Sequence, residues 1–183
     1  MRKSIFLIIT ICFSLLSVGQ NKEPKEITPD LLQTIKTCVD KQVVKFKETL
    51  LKDEMTNEQI EFSVDTFRIE HIAAKKIDLD YSTTGMNKTV DELTDSYDIL
   101  LNKYYKKLLN SLNEEDKKVL IAAQRAWLSF RDTEAKLIWT MTKDEYSGGG
   151  TMQSNIATGS YSYLVKQRTI DIFSYYNEIT KRK

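Results

Sequence analysis

The side chains on which enzymes most often rely are scarce in this chain of 183 residues. A Ser-His-Asp site needs a histidine base, and the only histidine, His71, lies on an apolar-leaning segment far from any serine in a strained turn. The histidine, two cysteines and scattered carboxylates form no metal-ligand motif, and no loop has calcium-type spacing. The 26 acidic residues offer no preferred glycosidase pair. The sequence therefore predicts a protein that is not an enzyme and that holds no metal or cofactor.

A glycine-rich segment, Ser147-Gly148-Gly149-Gly150, is the other feature that could bind a ligand. Backbone N–H groups of such loops can cradle a phosphate, but here no P-loop lysine follows and no strand pattern precedes. We therefore predict an ordinary flexible loop over residues 143–153, with phosphate binding as a remote alternative. Because loops carry recognition while helices supply the scaffold, this loop is the predicted contact surface for a partner.

A stretch near the middle of the chain combines arginines, an aspartate and large aromatic residues at helical spacing. Ala123, Trp127 and Phe130 recur at i, i+4 and i+7 and so share one face of a helix. Arg125 and Asp132, seven residues apart, lie on a neighbouring face. From this spacing alone we predict a core helix in which Trp127 and Phe130 are packing anchors.

Long helices must position these residues, because the chain has only two prolines and six glycines. Helix start signals agree with this. Thr28 precedes Pro29 at the first predicted helix, Thr56-Asn57-Glu58-Gln59 fits a capping box, and Asn113 precedes an acidic turn.

Two boundaries are less regular. The residues from Ile60 to Val64 alternate as in a strand, yet they also fit a helical face, and the capping box upstream favours a helix. Residues 78–84 are predicted to be a connector with a turn at Gly85, followed by a second capping box at Thr89-Val90-Asp91-Glu92. The apolar stripes then predict helices over about residues 28–52, 56–76, 89–112, 113–141 and 154–180.

The first residues have the pattern of an export signal. Arg2-Lys3 precedes an apolar run from Ile5 to Leu16, and Ser17-Val18-Gly19 offers small residues for cleavage before Gln20. The run is too short to span a bilayer comfortably and no second one follows, so we predict cleavage and no membrane anchor. The mature chain is expected to be periplasmic or secreted.

Cleavage decides the charge and the cysteine count. The formal net charge is +1, and loss of Arg2 and Lys3 leaves −1, so no basic surface for nucleic acid is expected. Cys12 leaves with the signal, and Cys38 is then a single cysteine that cannot form an internal disulfide. Because Cys38 falls on an apolar stripe, we predict that it is buried.

These patterns together predict an all-α fold, a single-domain bundle of four to five long helices that is a monomer. The chain is long enough to bury a core without disulfides. The predicted organisation is a signal peptide at 1–19, an N-terminal helical extension at 20–85 and a helical domain at 86–180.

The helical domain carries an ordered series of short motifs. In chain order they are Met86-Asn87, Leu101-Asn102 with Tyr104 and Leu108, Ala123-Gln124-Arg125-Ala126-Trp127, Phe130-Arg131-Asp132-Thr133-Glu134, Gly149-Gly150-Thr151-Met152 and Gln167-Arg168-Thr169. This series resembles the LprI-type lysozyme-inhibitor family, a group of small exported bacterial helical domains, over roughly residues 86–176. Family members carry cysteines where this chain has Thr89, Ala135 and Ser160, which implies that packing replaces their disulfide framework.

The resemblance implies a binding protein without catalytic activity. Its polar residues either form an internal network of hydrogen bonds and ion pairs that fixes helix register, or face outward to a partner. The cluster of Arg131, Asp132 and Arg168 is the preferred candidate. The full set of candidate binding residues is Asn87, Gln124, Arg125, Arg131, Asp132, Gly149, Gly150 and Arg168.

Three functional hypotheses follow. In the first, the exported protein binds a lysozyme or another envelope protein, and acidic residues at Asp91-Glu92-Asp95 and Glu114-Glu115-Asp116 steer a basic partner. In the second, it is an envelope structural or stress module that binds cell-wall or small-molecule ligands through the glycine loop and its tyrosines. The third is hydrolysis by a carboxylate pair such as Asp132 with Glu134.

Overall fold

Six helices make up the part of the chain that the computed structural model describes, residues 23–53 and 55–181. They are α1 (Pro29–Leu50), α2 (Asn57–Leu79), α3 (Thr83–Ser111), α4 (Glu114–Met141), α5 (Asp144–Ser147) and α6 (Met152–Thr180). No strand occurs in these residues, so the predicted all-α fold is confirmed, with five long helices and the short α5. None of these helices has an apolar stretch long enough to cross a bilayer. The predicted signal peptide and Cys12 lie outside the described residues.

Side-chain caps fix where the first two helices begin. The Thr28 hydroxyl accepts a hydrogen bond from the Leu31 N–H at 3.3 Å, at the start of α1. Thr56 and Gln59 form the predicted capping box, in which each side chain accepts from the other residue's backbone N–H, at 3.2 and 2.9 Å. The segment after Ile60 is therefore helical, as the cap predicted.

The start of α3 differs from the prediction, so the turn at Gly85 and the second capping box at Thr89 are both wrong. The Ser82 hydroxyl accepts from the Gly85 N–H at 3.0 Å and starts the helix there. The Asp80 carboxylate accepts from the Ser82 N–H and hydroxyl, at 3.2 and 2.6 Å, and lies over this first turn. Gly85 leaves room for it, since a Cβ there would lie 2.1 Å from the Asp80 Cγ. Thr89 is consequently a buried residue inside the helix.

The two longest helices, α3 and α6, run parallel at the centre of the fold. The Thr169 hydroxyl donates to the Tyr97 carbonyl oxygen at 3.1 Å, and farther along both helices Tyr104 packs edge-on against Phe173, with ring centroids 4.9 Å apart. Full burial of each large apolar side chain here contributes about 1.5–3 kcal/mol. The buried cluster consists of Leu100, Leu101, Tyr104, Leu108, Leu120, Ile172 and Tyr176.

The α1–α2 hairpin covers a second side of this centre. α2 runs antiparallel to α3, and two lysines of α3 form ion pairs with two acids of α2: Lys103 with Asp65 at 2.6 Å and Lys107 with Glu61 at 2.7 Å. The buried stripe of α1 that meets α2 consists of Ile35, Val39 and Val43.

Cys38 lies outside the buried stripe of α1, and its predicted burial is wrong, since the thiol is exposed. One residue along an α-helix turns the side chain by about 100°. Cys38 immediately precedes the buried Val39 and therefore faces away from α2.

The helix α4 lies at the edge of the fold and runs antiparallel to α6. Leu120 is its one buried residue and joins the core cluster near the end of α6. Gln124, farther along α4, meets Arg168, which comes earlier in α6. Trp127 packs half-buried against the same core. Phe130 is 52% exposed, so its predicted role as a packing anchor is wrong. α6 covers only one face of α4, and Phe130 lies on another.

Candidate functional site

The first cluster of candidate residues surrounds Trp127, between α4 and α6. The guanidinium carbons of Arg131 and Arg168 lie 5.5 and 5.8 Å from the Trp127 ring centroid, within the range of cation–π attraction. The Arg168 Nε also donates to the Gln124 Oε1 at 3.0 Å. Arg131, Arg168 and Gln124, three predicted site residues, thus meet around Trp127, for which the sequence predicts only a core position.

Asp132 extends this arginine–tryptophan cluster toward solvent. The Arg131 Nε and Nη2 both donate to the Asp132 Oδ1, at 2.9 and 2.7 Å. The Asp132 carboxylate is mostly exposed, whereas Arg131 is largely covered. Because ion pairs between neighbouring exposed groups contribute little to stability, this pair orients the guanidinium more than it stabilises the fold.

Arg125 does not join the cluster. It is exposed on the outer side of α4, and no hydrogen bond or ion pair links it to any residue of the described chain. Of the predicted polar residues on α4, Gln124, Arg131 and Asp132 therefore belong to one group and Arg125 stands apart.

The second cluster joins the starts of α3 and α6 through asparagine side chains. The Asn87 Nδ2 donates to the Ser154 hydroxyl at 3.0 Å, and the Asn155 Nδ2 donates to the Asn87 Oδ1 at 2.7 Å and to the Thr83 carbonyl oxygen at 3.2 Å. These bonds fix the first turns of the two central helices to each other. Asn87 is among the predicted site residues, but its partners Ser154 and Asn155, 67 and 68 residues away, are not.

The glycine loop connects to this asparagine cluster at the start of α6. All three glycines have φ in the left-handed region, at 77° for Gly148, 81° for Gly149 and 98° for Gly150. The Gly149 N–H donates to the Ser147 hydroxyl at 3.1 Å, which in turn donates to the Thr142 carbonyl oxygen at 3.0 Å. The short α5 lies within the segment predicted to be a flexible loop, and these bonds give the loop a defined backbone path.

The two clusters lie at different heights on α6. Asn155 and Arg168 are separated by 13 residues, which corresponds to about 20 Å along a helix. The candidate residues therefore do not form one compact site. One cluster joins α6 to α4 and the other joins α6 to α3, with the glycine loop beside the asparagine cluster.

A polar group that was not predicted lies between α2, α3 and α6. The Glu70 Oε1 accepts from the Tyr97 hydroxyl and from the Lys166 Nζ, each at 2.5 Å. Burial raises the pKa of Glu70, but these two donors outweigh it and hold that pKa below its usual value. Burial, followed by the hydrogen bond to Glu70, raises the pKa of Tyr97 well above its usual value. The proton stays on the tyrosine and the charge on the glutamate, an arrangement unsuited to proton transfer near neutral pH.

An open cleft of about 410 Å³ lies beside Glu70. Its walls include Phe46 and Phe67, which stack with ring centroids 4.4 Å apart, and His71, which stacks on Phe67 at 3.6 Å. The cleft combines aromatic faces with a carboxylate and a lysine. No sequence motif indicates this cleft, because Tyr97 and Lys166, which donate to Glu70, lie 27 and 96 residues from it in the sequence.

The two acidic groups predicted to steer a basic partner, one at the start of α3 and one at the start of α4, are partly engaged in ion pairs. Glu92 pairs with the buried Lys76, and Glu114 and Glu115 pair with lysines of their own helix turn. Asp91 and Asp95 form no ion pair with any described residue, and burial together with the charge of Asp95 raises the pKa of Asp91. With Asp98, these carboxylates follow Asn87 at spacings of four, four and three residues, and so extend along one side of α3.

No three His, Cys, Asp or Glu side chains in residues 23–53 and 55–181 are grouped so as to hold a metal ion.

Comparison with known proteins gives one match. The family model described as "Lysozyme inhibitor LprI" matches residues 75–171, just over half of the chain. The match runs from the end of α2 into α6 and contains both clusters and the glycine loop. No curated protein and no solved structure matches the chain.

Proposed function

Because the chain belongs to the LprI lysozyme-inhibitor family, we propose that it is an exported, non-catalytic binding protein whose partner is a cationic lysozyme. The observation that carries this proposal is the acidic stripe on α3, formed by Asp91, Asp95 and Asp98, none of which forms an ion pair with another described residue. It starts beside Asn87, next to the glycine loop. Fixed negative charge next to a defined loop suits the capture of a basic protein, since complementary potentials raise the association rate.

The glycine loop is the proposed contact element, because its backbone is already organised. Three consecutive residues with positive φ fix its path, and the bonds of Asn87 with Ser154 and Asn155 tie its far end to the central helices. A loop that is ordered before binding loses less conformational entropy on association. Recognition elements on a rigid helical scaffold follow the general division of labour between loops and helices.

Titration of an active chicken-type lysozyme with the mature protein, beginning at Gln20, tests this proposal. We expect inhibition at near-stoichiometric amounts that weakens as salt rises from low to moderate, because salt screens exposed charges. Full lysozyme activity at a large excess of the protein would refute it.

A charge-matched pair of variants separates the acidic stripe from net charge. The stripe variant is Asp91→Asn, Asp95→Asn and Asp98→Asn, and the control neutralises three exposed acids elsewhere, with Glu23→Gln, Glu48→Gln and Asp53→Asn. We expect the stripe variant to weaken inhibition and lower its salt dependence, while the control variant inhibits as the wild type does. Equal losses in both would show that only net charge matters.

A second candidate function is the binding of cell-wall fragments or small molecules without lysozyme inhibition. The aromatic cleft beside Glu70 supports it, since aromatic faces with a nearby carboxylate and lysine suit an amphipathic ligand. A thermal-shift screen with soluble cell-wall fragments is the test. A rise in melting temperature that Phe67→Ala removes and Val44→Ala retains would support it, and no shift with any fragment would exclude it.

A further inference from the structure

The outer face of α4 carries an apolar stripe that no other part of the described chain covers. Val119, Phe130, Leu137 and Met141 are each between 51% and 68% exposed. Ala123 and Ala126 lie between Val119 and Phe130, so apolar residues there recur at steps of four, three and four residues. This part of the stripe has the seam pattern by which helices pair as coiled coils, and Thr133 takes the next seam position before Leu137. The face toward α6, with Leu120 and Trp127, is a different one, and α4 therefore has two apolar faces.

A second exposed stripe on α6 consists of Met152, Ile156 and Tyr163, each between 53% and 70% exposed. The contact of Gln124 with Arg168 sets the antiparallel register of the two helices. Counting residues along both helices from that contact places three pairs of residues at the same height along the helix axes, to within one residue. They are Phe130 with Tyr163, Leu137 with Ile156, and Met141 with Met152.

Both stripes lie on the same side of the helix pair. Successive side chains on a helix are about 100° apart around its axis. On α4, the stripe is rotated by about 100° from the side that faces α6, and on α6 the stripe is rotated by about 130° from the side that faces α4. Both rotations have the same sense when each helix is viewed from its N-terminus. Because the helices are antiparallel, equal senses of rotation turn both stripes to one side. Together they form a two-helix apolar face, here called the α4–α6 face.

The size of the α4–α6 face matches an interface better than a free surface. From Val119 to Met141 it is about 33 Å long, and one helix is about 10 Å wide. A stable interface buries about 800 Å² per partner, which one helix stripe does not reach and two adjacent stripes approach. Exposed apolar areas of this extent on soluble proteins usually mark interaction sites.

We propose that two copies of this protein associate through the α4–α6 face, with the two α4 helices antiparallel across a twofold axis near Ser129. The stripe is complementary to itself only in this direction. Antiparallel pairing places Phe130 of each copy on Ala126 of the other and Leu137 on Val119, so large side chains meet smaller ones. Parallel pairing would stack Phe130 on Phe130 and leave alanine opposite alanine.

The charges beside the stripe favour the same direction. Glu115 borders its N-terminal end and Lys136 its C-terminal half, with Ala122 and Ser129 between them. Antiparallel copies bring Glu115 toward the end of α4 that carries Lys136 in the second copy, and parallel copies would oppose like charges. An isologous interface requires this kind of self-complementarity. The proposed twofold dimer differs from the monomer that the sequence patterns predict.

The dimer is independent of lysozyme binding. Antiparallel α4 helices carry the two glycine loops to opposite ends of the assembly, so each loop remains accessible. Dimerisation and inhibition can consequently succeed or fail separately, and each has its own measurement.

Sedimentation of the mature protein over a concentration series, from low micromolar to sub-millimolar, tests the association. We expect a monomer–dimer equilibrium that Leu137→Glu shifts at least tenfold toward monomer and that Val44→Glu leaves unchanged. Val44 is a matched control because it is 59% exposed on α1, away from this face. A wild type that stays monomeric over the whole series overturns the proposal. So does a Leu137→Glu variant that dimerises normally but loses lysozyme inhibition, since the face would then belong to lysozyme.

Cysteine cross-linking in a Cys38→Ser background tests the direction of pairing. Ser129→Cys, close to the axis, is expected to oxidise to a disulfide dimer. Ala122→Cys and Lys136→Cys are expected to form a disulfide only when the two variants are mixed, because 14 residues, about 21 Å, separate these positions along the helix. Self-linking of Ala122→Cys alone indicates parallel helices and overturns the proposed arrangement. Absence of the Ser129→Cys dimer, with circular dichroism confirming a folded variant, also overturns it.

Discussion

Arg168 on α6 and Gln124 on α4 lie 44 residues apart in the sequence, yet the Arg168 Nε donates a hydrogen bond to the Gln124 Oε1 across 3.0 Å. The same guanidinium lies over the Trp127 ring, which Arg131 flanks as well. Because α4 contacts few other parts of the fold, this contact is a main polar link that sets its register on α6. Gln124 and Arg168 thus fit the interpretation as an internal network better than that of an outward site.

Removing the Arg168 side chain should loosen α4. We expect Arg168→Ala to lower the free energy of unfolding by about 1–3 kcal/mol, since it removes a charged hydrogen bond and a partly covered cation–π contact. Urea denaturation followed by circular dichroism measures the change. Arg125→Ala is the control, because Arg125 is exposed and should change stability by less than about 0.5 kcal/mol. Similar losses in both variants would contradict the assignment.

The helices themselves follow closely from local signals, and their contacts do not. Caps at Thr28, Thr56 and Asn113 place three helix starts correctly, because each depends on residues within one turn. Thr89 also fits a capping pattern, but Ser82 starts the helix seven residues earlier. A local pattern cannot show which of two competing caps the surrounding structure uses.

The burial of a helical face is even less visible in the sequence. Trp127 and Phe130 share one side of α4 in the helical projection, yet the first is half-buried and the second exposed. The difference depends on where α6 lies, which is set by contacts such as Arg168 with Gln124. Apolar periodicity reports that a face will be covered, and it does not report whether the same chain or another molecule covers it.

Tyr104 has a buried hydroxyl with no hydrogen-bond partner among the described residues. Its ring packs against Phe62 and Phe173 in the core. Because an unpaired buried hydroxyl carries a desolvation penalty, we expect Tyr104→Phe to leave stability unchanged or to raise it by up to about 1 kcal/mol. Tyr97→Phe is the matched comparison, since the Tyr97 hydroxyl donates to Glu70 and its loss should destabilise. Thermal and urea unfolding measure the stability of both variants. A Tyr104→Phe variant that loses as much stability as Tyr97→Phe would show that the Tyr104 hydroxyl is bonded.

Two glycines inside helices should respond to alanine in opposite directions. A Cβ at Gly85 would lie 2.1 Å from the Asp80 Cγ, so Gly85→Ala must displace the carboxylate that covers the start of α3, at about 1–3 kcal/mol. A Cβ at Gly159 would meet nothing within 4 Å, so Gly159→Ala should stabilise α6 by about 0.5–1 kcal/mol. Urea midpoints at low protein concentration provide the comparison. Equal effects at the two sites would mean that Asp80 does not hold this position.

Acid unfolding should depend on Glu61, whose carboxylate bridges Lys103 and Lys107. Hydrogen bonds from Lys103 and then Lys107 hold the pKa of Glu61 below its usual value of 4.5. A carboxyl group with a lowered folded-state pKa contributes its stability above the unfolded-state pKa, and the contribution is lost as pH falls through the folded-state value. The stability difference between wild type and Glu61→Gln should therefore be constant from about pH 7 to about pH 5 and shrink below 4.5. Urea denaturation across this range measures it, with Glu48→Gln, an exposed glutamate on α1, as the control. A stability difference that is the same below pH 4.5 as at about pH 7 would show that the negative charge of Glu61 does not contribute to stability through the two lysines.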